Sequence, residues 1–487
     1  MLTLVGCLAP ALLSPAEPAS VSPHSAIESH TDGAQAGTAK KDPFETIFIR
    51  AEHVITKPGT VLDDAAVLVR NGRIVAVGTG LSKPDGATEL SGKYVCAGFI
   101  DAWSALGVAS EALVDQAASP ATRTADGVDV FNFDHLRRDA LRSGVTSARI
   151  QVGATGRVGG LGAIVRLAPG QSEDDVVLSP DCNLWMTIGL TQGSQPLFDN
   201  QGELIGIGGR AMDPFERVES VDRLVSTLQA GKNYLIAKNE YKHELEAWQK
   251  TITEKETELE KDAKKAKKDR EKAEKDATEK NKKFEEKKYK EDKKPTAPRI
   301  DEDNEVVARA ANGELPLIVH ANRVAEIRAL LQGTESLGRL RLVIAGGAEA
   351  TFFSKQLAER RIPVLVWPAP LGRNRPDEYE ASDLSLAARL KADGVQVLIG
   401  SGGIDPAATR DLPLLAGLAI GAGLDRAAAF EALTIGAARV LDASDRIGTV
   451  EAGKDADLLV LDGEPLVSTT RVLNVVAGGR VVALKED

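Results

Sequence analysis

Gly98-Phe99-Ile100-Asp101-Ala102-Trp103-Ser104-Ala105-Leu106-Gly107 is the point at which the chain changes style. Before it, residues 44–98 read as strands: Ile47-Phe48-Ile49-Arg50, Ala66-Val67-Leu68-Val69 and Ile74-Val75-Ala76-Val77, the last two joined by Asn71-Gly72. Asn-Gly readily takes the two positive φ angles of a type I′ turn, whose twist matches that of the flanking strands, so a hairpin is expected there. After it, residues 99–444 alternate short β-rich runs with helical periodicity, the pattern of βα units around a parallel sheet. Expected strands are Thr146 to Ile150, Ala163 to Leu167, Leu317 to His320, Leu340 to Ile344, Pro363 to Trp367 and Val395 to Ile399. Expected helices are Ala325 to Gln332, Thr351 to Arg361, Leu384 to Lys391, Leu414 to Ala422 and Arg426 to Leu441, each with apolar residues at three- and four-residue spacing. An eight-fold (β/α) barrel is the natural closure. The C-terminal residues 445–487 return to strands, with Leu458 to Leu461, Val472 to Val476, a Gly478-Gly479 turn and Val481-Val482. They can share a small β-sandwich with residues 44–98.

Bulk composition supports a large barrel plus a smaller module, because 487 residues exceed what one core usually holds. A formal net charge of −11, with no clustered excess of Lys and Arg outside balanced tracts, argues against nucleic-acid binding. Cys7, Cys96 and Cys182 show no metal or redox spacing, so no disulfide framework is expected. Cys7 closes Leu4-Val5-Gly6-Cys7, a small-residue-then-Cys string of the kind processed in lipoproteins. Residues 1–43 therefore read as an export segment with a lipid anchor at Cys7 and a Ser-, Pro- and Ala-rich tether, which places the protein in the periplasm or cell envelope. Against export, no Lys or Arg precedes Lys40, and the other reading is a disordered apolar N-terminus.

Residues 240–294 break the rhythm. Charges of both signs dominate, and Glu-to-Lys pairs four residues apart recur at Glu246/Lys250, Glu260/Lys264, Glu271/Lys275, Glu279/Lys283 and Glu286/Lys290, which favours a long solvated helix. Leu245, Ile252, Leu259, Ala266 and Ala273 repeat every seven residues, but after Trp248 the positions three further on are Lys or Asp. That seam is too narrow for a robust coiled coil. A solvated excursion from the barrel is one reading and a helix that docks a protein partner is the other.

Two strings resemble the amidohydrolase superfamily of metal-dependent hydrolases: Gly98-Phe99-Ile100-Asp101, and Ile447-Gly448-Thr449-Val450-Glu451-Ala452-Gly453-Lys454-Asp455-Ala456-Asp457-Leu458. Ser143 to Ser147, Gly159 to Ala163 and Val319-His320-Ala321-Asn322-Arg323 are similar to an exported, imidazolonepropionase-like branch. The resemblance implies an α/β fold with a TIM-like barrel and a β-sandwich. It also implies hydrolysis of C–N bonds in amides or cyclic amides with one or two divalent, zinc-type metals at the barrel mouth. Such a centre needs imidazole or carboxylate ligands and an open position for water.

Aligned to that pattern, Trp103 and Ala105 stand where the family places two strand-one histidines, and Gly346 stands where it places another. Gly402 replaces the strand-eight carboxylate, and His320 alone is retained. Neither an indole nor a methyl group binds a metal. The expectation is an amidohydrolase-type barrel without a working metal centre and with no resident cofactor. Its mouth, formed by Trp103, Ser104, His320 and Arg323, would take at most a small amide-like ligand. Two other readings stand beside this one. The first is an active hydrolase of altered chemistry that uses His320 with Asp405, three residues beyond Gly402, or with one of Lys232, Lys238 and Lys242. The second is an exported scaffold that docks through the charged helix.

Overall fold

The computed structural model describes residues 46–108, 118–129, 134–153, 158–170, 172–188, 195–198, 204–208, 214–276, 293–368 and 383–483. Cys7, the tether and the Lys-rich end of the charged segment fall outside that range. Among the described residues, no helix is long and apolar enough to cross a membrane.

The N-terminal strands β1 (Ile47–Lys57), β2 (Thr60–Arg70), β3 (Arg73–Thr79) and β4 (Thr88–Ala97) form one sheet with three strands from the other end of the chain. Asn71 and Gly72 take φ of 52° and 77° between the paired Arg70 and Arg73, so the expected two-residue hairpin forms. The outer-facing positions of β1 are mixed, whereas Ile47, Ile49 and Val54 are fully buried against Val67, Val69, Leu458 and Val460.

The barrel begins with β5 (Phe99–Ser104), β6 (Val145–Ile150), β7 (Val158–Arg166) and β8 (Val177–Thr187). A two-stranded excursion, β9 (Gln195–Phe198) with β10 (Leu204–Gly208), follows. The barrel resumes with β11 (Leu317–Ala321), β12 (Leu342–Gly346), β13 (Val364–Val366) and β14 (Val397–Ile399). These eight barrel strands make one nearly closed sheet in chain order. It departs from an all-parallel barrel at β7, which runs antiparallel to both neighbours. The connections on either side of β7 are too short for a crossover helix, and a short link can only join antiparallel strands. The C-terminal strands β15 (Leu458–Leu461), β16 (Val472–Ala477) and β17 (Arg480–Val481) complete the first sheet, with β15 seated beside β4.

Alternate residues along the barrel strands divide the core. Val319, Ile344, Val366 and Ile399 face the outer helices, while Ile100, Ile164, Trp185, Ile318, Val343, Leu365 and Leu398 fill the interior. The outer helices include α1 (His135–Arg142), capped by Asp134, and α2 (Pro214–Asp276). The charged helix thus starts earlier than the 240–294 expected, because its first turns carry Val221, Leu224 and Leu228. These are buried against α3 (Glu302–Ala311) and α4 (Val324–Gly333), and α2 approaches α3 closely at Gly231. The remaining outer helices are α5 (Ser354–Glu359), α6 (Leu386–Ala392), α7 (Leu412–Gly421), α8 (Arg426–Leu433) and α9 (Ile435–Val440). The single helix expected from Arg426 to Leu441 is two, broken at Thr434, whose φ of −128° and ψ of −109° leave the helical region.

Candidate functional site

The C-terminal ends of parallel barrel strands form the mouth where barrel enzymes place their chemistry. Here β5 delivers Trp103, β8 delivers Trp185 and β11 delivers His320, all facing inward and all buried. The Trp185 indole lies nearly parallel to the His320 imidazole at a centroid distance of 6.4 Å. Trp103 meets both rings at steeper angles, 5.5 Å from His320 and 5.7 Å from Trp185. Offset and edge-on arrangements of this kind contribute beyond their area burial.

Glycines make room for the indoles. A Cβ at Gly400 would sit 2.5 Å from Cβ of Trp103, and one at Gly402 would sit 2.5 Å from the Trp367 ring. A Cβ at Gly403 would collide with Cδ1 and Nε1 of Trp103. Gly402 and Gly403 also have positive φ, which a side chain would strain. The space left beside Trp103, Asn322, Gly346 and Trp367 is about 20 Å³, enough for one water.

Beneath the aromatic group is a buried cation that the sequence reading passed over. Arg149 on β6 is fully buried. Its Nε donates to Asn183 Oδ1 at 2.8 Å and one terminal nitrogen donates to Gln151 Oε1 at 2.8 Å. The guanidinium stacks on Trp185, 4.7 Å from the ring centroid. Its other terminal nitrogen has no hydrogen-bond partner among the described residues. Burial pulls its pKa down to about 10, partly offset by Cys182 and Asp101. The same burial pushes the Cys182 thiol up to about 12, so Cys182 is not a nucleophilic thiolate. An Arg in the middle of the apolar-looking string Val145 to Ile150 was the available signal, because an inward Arg on a barrel strand has to find partners.

Asp101 closes the barrel. Its carboxylate accepts from Trp103 N and Ser401 N at 3.0 Å each and from Ser401 Oγ at 2.5 Å, which ties β5 to the loop after β14 where the two strands share no ladder. Burial raises its pKa, against the hydrogen bonds from Ser401 and Trp103 that favour the ionised form. Ser104 turns from the mouth to Thr409, 2.6 Å away oxygen to oxygen. Asp405 caps a 3-10 turn by accepting from Ala407 N at 2.8 Å. Arg323 stands at the N-terminus of α4, where Glu326 accepts from its backbone N–H at 3.2 Å. Lys232 and Lys238 lie on the outer helix α2, bound to the Leu337 carbonyl and to Glu305, and so do not line the mouth.

The described residues at the mouth do not form a divalent-metal site. Among the described residues no three His, Cys, Asp or Glu side chains converge, and His320 lies against the indoles of Trp103 and Trp185. The arrangement can hold flat rings together and keep a cation dry. Among the described residues it offers no set of ligands that would lower the pKa of a bound water.

A sequence model of the amidohydrolase family matches residues 250–482, a range that leaves out the strand carrying Trp103. No curated protein matches the chain. Among solved structures, an amidohydrolase from Thermotoga maritima MSB8 aligns at 24% identity over 90% of this chain and 99% of its own, with a TM-score of 0.65. An adenosine deaminase from Xanthomonas campestris with bound zinc aligns at 18% identity over 90% and 93%, with a TM-score of 0.46. A putative prolidase from Bifidobacterium longum aligns at 17% over 90% and 95%, also at 0.46.

Proposed function

We propose that this chain belongs to the amidohydrolase family of hydrolases, on its partial sequence match and its barrel, and is a catalytically silent member whose mouth has become a packed aromatic core. The observation that carries the reading is the placement of Trp103: the indole occupies the end of the first barrel strand, in space that the absence of side chains at Gly400 and Gly403 leaves for it. Metal-dependent hydrolysis requires an open coordination position beside at least three protein ligands. The residues that would supply them, at positions 103, 105, 346 and 402, are Trp, Ala, Gly and Gly.

Two further features support the reading. The space beside Trp103, Asn322, Gly346 and Trp367 is water-sized, well below the roughly 300 Å³ that small-molecule sites usually offer. Asp405, the carboxylate nearest in sequence to the lost strand-eight position, is engaged as a helix cap. The barrel then serves as an exported binding or scaffold protein of imidazolonepropionase-like ancestry, held at the cell envelope through Cys7. Whether a partner docks on α2 is part of the same proposal.

The test is turnover. Protein purified without chelator is assayed with a panel of amides, dipeptides and cyclic imides. No turnover is the expected outcome. Hydrolysis that is abolished in His320→Ala would overturn the reading.

A further inference from the structure

The end of the barrel opposite Trp103 and His320 carries a groove. Its lining comes from residues at or just before the starts of four neighbouring strands: Pro316 ahead of β11, Leu340 to Val343 at β12, Ile362 and Pro363 at β13, and Val395 and Gln396 at β14. The groove has a volume of about 550 Å³, within the range of small-molecule sites. Its floor is apolar, and its rim holds Arg341, Arg360, Arg361, Lys391 and Arg439 against one lining carboxylate, Glu431.

Helix C-termini on this face favour nearby cations, and most of the rim is accounted for in that way. Arg341 is also held by Asp442, at 2.5 and 2.6 Å, and Arg360 by the Leu331 carbonyl. Lys391 and Arg439 share Glu431 at the longer distances of 3.5 and 3.8 Å. Arg361 is different. Among the described residues its side chain has neither a hydrogen bond nor an ion pair, and its φ is +53°. It follows the last turn of α5, where its N–H bonds to Ala358 O and that of Ile362 bonds to Leu357 O. This is the helix-ending position that glycine normally fills, because a side chain there is strained. Backbone preference argues against an arginine at this place.

We propose that this groove binds a small organic phosphate ester, its phosphate held by Arg361 and Arg439 and its apolar body lying over Leu342, Ile362, Val395 and Val440. Guanidinium groups match phosphate oxygens in geometry and charge, and the half-satisfied Arg439 and unpaired Arg361 are the two guanidinium groups on the rim with capacity to spare among the described residues.

The test is isothermal titration of the full chain with phenyl phosphate and with inorganic phosphate, at low and at physiological salt. Phenyl phosphate is expected to bind saturably, at least tenfold tighter than inorganic phosphate, and more weakly as salt rises. Arg361→Gly supplies the residue the backbone prefers, so its melting temperature should hold or rise while phenyl phosphate affinity falls at least tenfold. Arg439→Gln, at a partly exposed side chain, should show the same loss. No saturable binding to the wild-type chain would overturn the proposal, and so would undiminished binding in both variants.

Discussion

The Trp103 indole lies against the Cα of Gly403 so closely that a Cβ at Gly403 would run into its Cδ1 and Nε1. Gly403 also has a φ of +68°. Gly403→Ala therefore meets both a clash and backbone strain, and should lower unfolding free energy by about 1–3 kcal/mol. Gly417, on α7 with open space where a Cβ would go, is the control, and Ala there should be neutral or stabilising. Urea denaturation of the two variants checks the contrast, and equal effects would remove Trp103 from its proposed place.

Burial raises the Asp101 pKa, and this gives the fold a pH dependence. An acid whose folded pKa lies above its unfolded value of about 3.9 favours the folded state fully at lower pH, and that contribution is lost as pH rises through the folded value. Asp101→Asn retains an acceptor for the Trp103 and Ser401 N–H groups without the charge. Its stability relative to the wild type should therefore improve as pH is raised from 4 towards neutrality, measured by denaturation at a series of pH values. A constant difference across that series would show that the carboxyl does not titrate as argued.

The barrel and the first sheet are joined through Arg166, whose Nε donates to Asp457 and one of whose terminal nitrogens donates to both Asp457 and Asp455, at 2.8 to 3.0 Å. Burial disfavours the charge on Arg166, but Asp457 and Asp455 override it and raise its pKa. Removing one partner of a buried pair costs about 3–5 kcal/mol, because the other charge is left without compensation. Arg166→Met should cost that much, and Arg166→Met with Asp457→Asn should cost less than the single change. A double variant less stable than Arg166→Met would contradict this account.

The outer part of α2 is exposed from Glu254 to Asp262, whereas Val221, Leu224 and Leu228 in its first turns are buried. Replacing residues 250–294 by a short Gly-Ser linker should leave the thermal transition within a few degrees. Leu228→Ala should cost about 2–5 kcal/mol. Loss of the transition on deletion would mean that the charged segment is part of the core.

Much of the fold was legible because its signals are local. Asn71-Gly72 dictates its own turn, and the β-rich runs at Thr146 to Ile150 and Leu317 to His320 became barrel strands. The antiparallel β7 was not legible, since strand direction depends on how a short link can close in space and not on the apolar pattern of the strand. The start of α2 was missed because the charge run draws attention to the solvated end of a helix whose buried end reads as ordinary barrel. At the site, the sequence singled out Trp103 and His320, which the structure brings 5.5 Å apart. It did not reveal Trp185 or Arg149, whose roles depend on which side chains of neighbouring strands share a layer of the barrel.

The most direct test of the central claim is metal content. Protein purified from native expression without chelator, and again after incubation with excess zinc followed by desalting, is analysed for zinc, nickel, iron and manganese by elemental mass spectrometry. Far less than one metal per chain is expected in both samples, with no change in melting temperature on adding zinc. One or two equivalents retained per chain, and lost in His320→Ala, would contradict it.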